Sequence, residues 1–182
     1  MPIIAVIAIG STIWQSTAIQ SMGFPCTLTE DNAEGPYYIE NALTKERLGV
    51  YMEGQRLIVS GQILDRNCDP VPNAIVDLWQ TDAHGDYYFD DYTLRGKIYA
   101  DENGKYAIDT IFPGKYQEDG IFRPAHLHLK IFSSEDNRES LTSQLYFAGD
   151  KDHDWLVKQP LIMDYKEINN IKYSEFDFVI IP

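Results

Sequence analysis

Two histidines separated by one residue, His126 and His128, lie in the run Phe122-Arg123-Pro124-Ala125-His126-Leu127-His128. Alternate side chains leave a β-strand on the same face, so both imidazoles would point one way. Leu127, Leu129 and Ile131 would point the other way, into a core. Taken alone, the pair suits two packed imidazoles as well as it suits half a metal site. Two tyrosines shift that balance. Tyr87 closes the run Trp79-Gln80-Thr81-Asp82-Ala83-His84-Gly85-Asp86-Tyr87, and Tyr116 closes Phe112-Pro113-Gly114-Lys115-Tyr116. Each follows a strand-like stretch, where a rigid scaffold displays functional groups on loops. A free phenol has a pKa of about 10 and is a weak ligand while neutral. A bound trivalent cation removes that proton and leaves a hard phenolate oxygen suited to Fe(III). Zinc sites are built mainly from Cys, His and carboxylate, so zinc suits this set less well. Tyr87, Tyr116, His126 and His128 are the candidate ligands of a non-haem Fe(III).

The elements that must position them read as β. Residues 57–64 (Leu-Ile-Val-Ser-Gly-Gln-Ile-Leu) form one strand candidate, 65–73 a turn, and 74–80 a returning strand. Asp101-Glu102-Asn103-Gly104 is a second turn leading into a strand over 105–111, with further strands at 127–132, 141–147 and 176–181. No stretch shows a long helical period. Short strands separated by Gly, Pro, Asn and Asp turns predict an all-β sandwich with long active-site loops and little helix.

The chain has 182 residues, with 15 basic and 28 acidic side chains and a formal charge of −13. So acidic a surface argues against nucleic acid or an anionic membrane as a partner. Residues 1–14 carry no charged side chain and include Ile3-Ile4-Ala5-Val6-Ile7-Ala8-Ile9, the length of a signal-peptide apolar region and too short to span a bilayer. The expectation is a cleaved secretory signal over 1–22 and a single extracellular domain over 23–182; a buried N-terminal strand is the rival reading. Cys26 and Cys68 are the only cysteines, an even count that permits one disulfide in a secreted chain.

With these motifs assembled, the sequence resembles the intradiol ring-cleavage dioxygenases of the catechol and protocatechuate type, and it looks like a short, secreted member. The matching runs are Glu34-Gly35-Pro36-Tyr37-Tyr38, Trp79 through Tyr87, Arg95-Gly96, Gly104-Lys105-Tyr106, and Thr110 through Tyr116. They continue with Arg123-Pro124-Ala125-His126-Leu127-His128 and Ser143-Gln144-Leu145-Tyr146-Phe147-Ala148-Gly149-Asp150. The resemblance implies a prealbumin-like sandwich that holds ferric iron through Tyr87, Tyr116, His126 and His128. It implies a small aromatic diol and O2 as substrates and a cis,cis-muconate-type product. Tyr116 would be the ligand that releases the metal and accepts a proton. Arg123 and Gln144 would stabilise charge developing on the ring, and Tyr37, Tyr38 and Asp82 would lie near the substrate. The stretch between Tyr116 and Arg123 is shorter than in well-studied members, and nothing before residue 34 matches the helical region that builds their dimer, so a monomer is expected. Two other classes remain: a non-catalytic β-sandwich binding module, and a zinc hydrolase using His126 and His128. Coloured iron selects the dioxygenase, absence of metal the module, and colourless zinc the hydrolase.

Overall fold

The computed structural model describes residues 25–89, 91–118, 120–134 and 138–182; the segment read above as an export signal lies outside them. Among the described residues twelve strands follow in order: β1 (Arg56–Leu64), β2 (Ile75–Trp79), β3 (Arg95–Tyr99), β4 (Lys105–Ile111), β5 (Tyr116–Glu118), β6 (Ile121–Arg123), β7 (His126–Phe132), β8 (Glu139–Phe147), β9 (Ile162–Met163), β10 (Tyr165–Ile168), β11 (Ile171–Glu175) and β12 (Phe178–Val179). One five-stranded sheet has the order β3-β2-β7-β8-β9. The second is centred on β1, which pairs antiparallel with β4 along one edge. Along its other edge β1 pairs in parallel with β11 and then β12, with β10 beyond β11. β5 and β6 form a separate hairpin.

Period-two alternation explains how the two sheets close on each other. Leu57, Val59, Ile63 and Ile108 of one sheet meet Val76, Leu78, Leu127, Leu129, Ile131 and Leu145 of the other in a single buried cluster. Each fully buried aliphatic side chain of this kind contributes about 1.5–3 kcal/mol. The chain is an all-β sandwich.

Two local expectations are corrected. Residues 74–80 do not return alongside β1: the 65–73 turn is a crossover that carries β2 into the opposite sheet, where it pairs with β3 and β7. Leu57, Val59 and Ile63 of β1 and Val76 and Leu78 of β2 face the core, which fixes each strand's inward face without fixing its partner. The terminal strand is confined to Phe178–Val179, because regular pairing with β1 is interrupted at Phe176 and Asp177 without a change of register. There the Phe176 amide donates to Ser60 O (2.9 Å) and the Asp177 carboxylate accepts from the Gln62 amide (2.8 Å).

Cys26 and Cys68 form a disulfide with Cα atoms 5.5 Å apart. It ties the start of the described chain to the crossover turn, and the N-terminal segment then runs across the outer face of the first sheet. The bridge closes a loop with a sequence separation of 42. On the chain-entropy account that is worth about 4 kcal/mol. The double variant Cys26→Ser/Cys68→Ser should therefore melt on the order of 10 °C lower, as read by calorimetry.

Candidate active site

The outer face of β7 and its neighbours carries the site. Antiparallel register sets His126 opposite Tyr146 and His128 opposite Gln144, and on the other side sets His128 opposite Trp79. Alternation thus delivers five functional or supporting side chains to one patch. The Trp79 ring stacks on His128 at 5.0 Å between centroids and 11° between planes.

Both imidazoles are buried. His126 Nδ1 lies 2.6 Å from the Pro124 carbonyl oxygen, which accepts its proton and leaves Nε2 with a free lone pair. That Nε2 faces Nε2 of His128 at 2.9 Å. Burial, reinforced by the Arg123 charge, pushes the pKa of His126 down to about 4. Burial and the neighbouring His126 push His128 well below its usual value. Both rings are neutral at physiological pH, the form that binds metal.

Tyr87 and Tyr116 close on this pair from two loops. Asp82 shapes the first loop: its Oδ1 accepts from the amides of His84 (2.8 Å) and Asp86 (3.0 Å), and its Oδ2 accepts from the Tyr88 hydroxyl (3.2 Å). The two loops touch at glycines. A Cβ on Gly85 would lie 2.1 Å from Lys115 O, and one on Gly114 would lie 2.4 Å from Gly85 N. Only glycine permits that approach, and it brings the Tyr87 and Tyr116 rings to 5.4 Å in an edge-on arrangement. Tyr116 lies 5.6 Å from the His126 ring, and Tyr87 lies 6.4 Å from His128. The Tyr87 hydroxyl is buried without a well-formed hydrogen bond. Burial and the adjacent Tyr116 hydroxyl raise its pKa. Burial also raises Tyr116, with Arg123 opposing.

This donor set fits a hard trivalent cation. The two Nε2 atoms at 2.9 Å share one proton between them, while His128 Nδ1 and the Tyr87 hydroxyl are buried without a well-formed hydrogen bond, a cost on the order of 1–3 kcal/mol per unsatisfied group. Two neutral nitrogens and two phenols that can ionise match Fe(III) better than they match any purely protein arrangement.

Arg123 sits beside this group with its fork fully committed. Nε pairs with the Asp154 carboxylate, one terminal nitrogen donates to Gln144 Oε1 (2.8 Å), and the other lies 3.4 Å from the Tyr116 hydroxyl. The hairpin register explains the last contact, since Tyr116 in β5 pairs with Arg123 in β6. Gln144 is equally committed: Oε1 also accepts from the Tyr146 hydroxyl (2.7 Å), and Nε2 donates to Ala33 O (2.7 Å). It positions Arg123, its carbonyl oxygen shared between the guanidinium and the Tyr146 hydroxyl.

Three further candidates separate in space. Tyr37 belongs to the site: it stacks on Tyr87 at 4.0 Å and 16°, and its hydroxyl donates to Glu118 (2.9 Å). Tyr38 turns away, donating to Asp77 (3.1 Å) and packing on Trp79. Asp82 organises the loop that carries Tyr87. Gly35 fits over His128, where a Cβ would lie 3.2 Å from Cε1. Sequence reasoning missed Asp154 and Asn32. Asp154 is one acid in an acidic run; Asn32, whose amide donates to Tyr146 (3.3 Å) and to Leu156 O (2.7 Å), lies in the N-terminal cover. Neither carried a local signal. A cleft of about 400 Å³ opens beside Tyr87 and Tyr116, walled by Tyr37, Phe89, Gln117 and Phe122.

Known proteins resemble this chain in sequence and in fold. A family model described as Dioxygenase matches residues 33–181. A chlorocatechol 1,2-dioxygenase from a Pseudomonas species is 30% identical over 81% of this chain and 68% of its own length. A catechol 1,2-dioxygenase from Acinetobacter baylyi is 31% identical over 76% of this chain and 54% of its own. Among solved structures, the dioxygenase domain of a dioxygenase and carbohydrate-binding fusion from Streptomyces sp. SirexAA-E superposes with a TM-score of 0.77 at 30% identity, covering 84% of this chain and 97% of that domain.

Proposed function

This chain belongs to the intradiol ring-cleavage dioxygenase family, and from that premise we propose that it opens catechol-type diols with O2, using non-haem Fe(III) held by Tyr87, Tyr116, His126 and His128. One observation carries the reading: two neutral imidazoles present Nε2 atoms to a common point 2.9 Å apart, beside two phenols. These four residues would hold a ferric ion, which would supply Lewis acidity toward a catechol whose ring O2 opens between its hydroxylated carbons. The product is a cis,cis-muconate-type diacid.

The chain's own residues then have distinct tasks. Tyr116 is less deeply set than Tyr87 and has the Arg123 guanidinium at 3.4 Å. Its hydroxyl oxygen is the one suited to accept a proton from an arriving catechol, because that charge favours its ionised form until the proton arrives. Arg123 stays cationic and stabilises negative charge developing on the substrate. Tyr37 caps the Tyr87 ring and narrows the entrance. The disulfide supports an oxidising compartment, consistent with export and removal of residues 1–22. The acidic chain acts as a monomer on small aromatic diols, without nucleic acid or membrane partners.

An optical spectrum tests the reading. The purified protein should show a broad visible phenolate-to-iron band that moves to longer wavelength when catechol is added under nitrogen. Tyr116→Phe should keep the fold, alter that band and slow turnover sharply. A protein that stays colourless after reconstitution with iron, or a Tyr116→Phe spectrum identical to wild type, rejects the ligand set.

A further inference from the structure

Five aromatic rings, Tyr37, Tyr87, Phe89, Tyr116 and Phe122, line the cleft together with His84, Asp86, Lys115 and Gln117. Phe89 and Phe122 line it while remaining 60% and 59% exposed. Tyr37 joins them, with its ring 5.4 Å from Phe89. Large apolar rings held in water beside a reactive centre are costly unless something covers them. The cations nearby are not available to a ring substituent lying in the cleft. Lys115 lines the cleft but is held by Asp150 at 2.5 Å and Asp152 at 2.8 Å. Arg123 is held by Asp154 and Gln144. Arg95 is buried and donates to the carbonyl oxygens of Tyr37 and Tyr88. Among the described residues, no unpaired Lys or Arg lines the cleft, whereas Asp86 lines it and Glu118 is bonded to Tyr37.

We propose that this cleft selects uncharged catechols carrying an aryl or other bulky apolar substituent, with Phe89 and Phe122 as the specificity-determining contacts, and that it disfavours catechols bearing a carboxylate. The inference rests on the proposed ring-cleavage activity and adds to it a substrate class. A substituent ring that covers Phe89 and Phe122 removes their exposed apolar surface, and its own, from water. A carboxylate entering the same space would lose hydration without gaining a free cation and would meet Asp86 and the Glu118 carboxylate.

The test compares catechol, phenylcatechol and protocatechuate on the iron-loaded full chain, reading kcat/KM for each and, separately, Kd by calorimetry under nitrogen. Phenylcatechol should exceed catechol by about tenfold in both readouts, and protocatechuate should fall below catechol by a similar factor. In Phe122→Ala the ratio of phenylcatechol to catechol should drop about tenfold. Gln117→Lys, which places an unpaired cation on the cleft wall, should raise the ratio of protocatechuate to catechol. Protocatechuate handled as well as phenylcatechol, or a phenylcatechol ratio unmoved by Phe122→Ala in a protein that still cleaves catechol, overturns the specificity proposal alone. Failure to cleave catechol at all, with iron bound, overturns the activity on which it rests.

Discussion

Arg123→Lys should lower kcat by roughly 10²–10³-fold while iron content and the visible band stay close to wild type. Lysine keeps the positive charge but not the fork. In the native site three nitrogens of one planar group reach three partners: Asp154, Gln144 and the Tyr116 hydroxyl at 3.4 Å. An ammonium on a flexible stem can satisfy Asp154 alone and will settle there, since that carboxylate is 2% exposed and needs a partner. The charge then sits away from the place where substrate charge develops. Because the loss falls on the transition state rather than on ground-state binding, KM should change little beside kcat. Iron content measured on the same sample separates this from a damaged metal site. Wild-type turnover in the lysine variant would show that the planar fork has no part in turnover.

Much of this site was legible in sequence because its geometry follows from alternation. His126 and His128 had to share a face once 126–132 was a strand, and Leu127, Leu129 and Ile131 had to fill the core behind them. Fold class was legible for the same reason. Pairing partners were not. Nothing in the pattern of residues 74–80 distinguishes a hairpin with β1 from a crossover to the other sheet, because both bury the same side chains. Strands β10 and β11 were overlooked because β10 is exposed throughout and so shows no apolar period. Their turn did carry a signal: Asn169 and Asn170 both adopt positive φ, 51° and 62°, as a tight hairpin requires. Residues 116–123, read as a short loop, are the β5–β6 hairpin, and its cross-strand pair is Tyr116 with Arg123. Tyr37 and Tyr38 are adjacent in sequence, yet they point to opposite tasks. One stacks on Tyr87 and the other bonds Asp77, and only the path of the chain over the sheet decides which. Asp154 could be found only from coordinates, since its significance lies in what it pairs with.

Asp154 accordingly supports the second large expected effect. Asp154→Asn should destabilise the protein by about 3 kcal/mol or more and should also reduce turnover. The side chains of Arg123 and Asp154 are 9% and 2% exposed, so removing the carboxylate leaves a guanidinium largely out of water with no counter-charge. Asparagine can still accept from the Leu156 amide, which Asp154 Oδ1 does at 2.8 Å, so the local turn survives and the lost charge dominates. Without its anchor Arg123 has Gln144 as its remaining strong partner, and the guanidinium can rotate away from Tyr116. Stability and catalysis then separate in the double variant Arg123→Met/Asp154→Leu. Replacing both members of a buried pair with apolar groups of similar volume is often neutral or stabilising. The double variant should therefore regain most of the melting temperature lost in Asp154→Asn, while its kcat stays at least as low as that of Arg123→Lys. If kcat recovered along with stability, the ion pair would matter for folding alone, and the charge beside Tyr116 would have no part in turnover. If neither recovered, the pair would be holding the β5–β6 hairpin against β8 through Gln144, a purely architectural role.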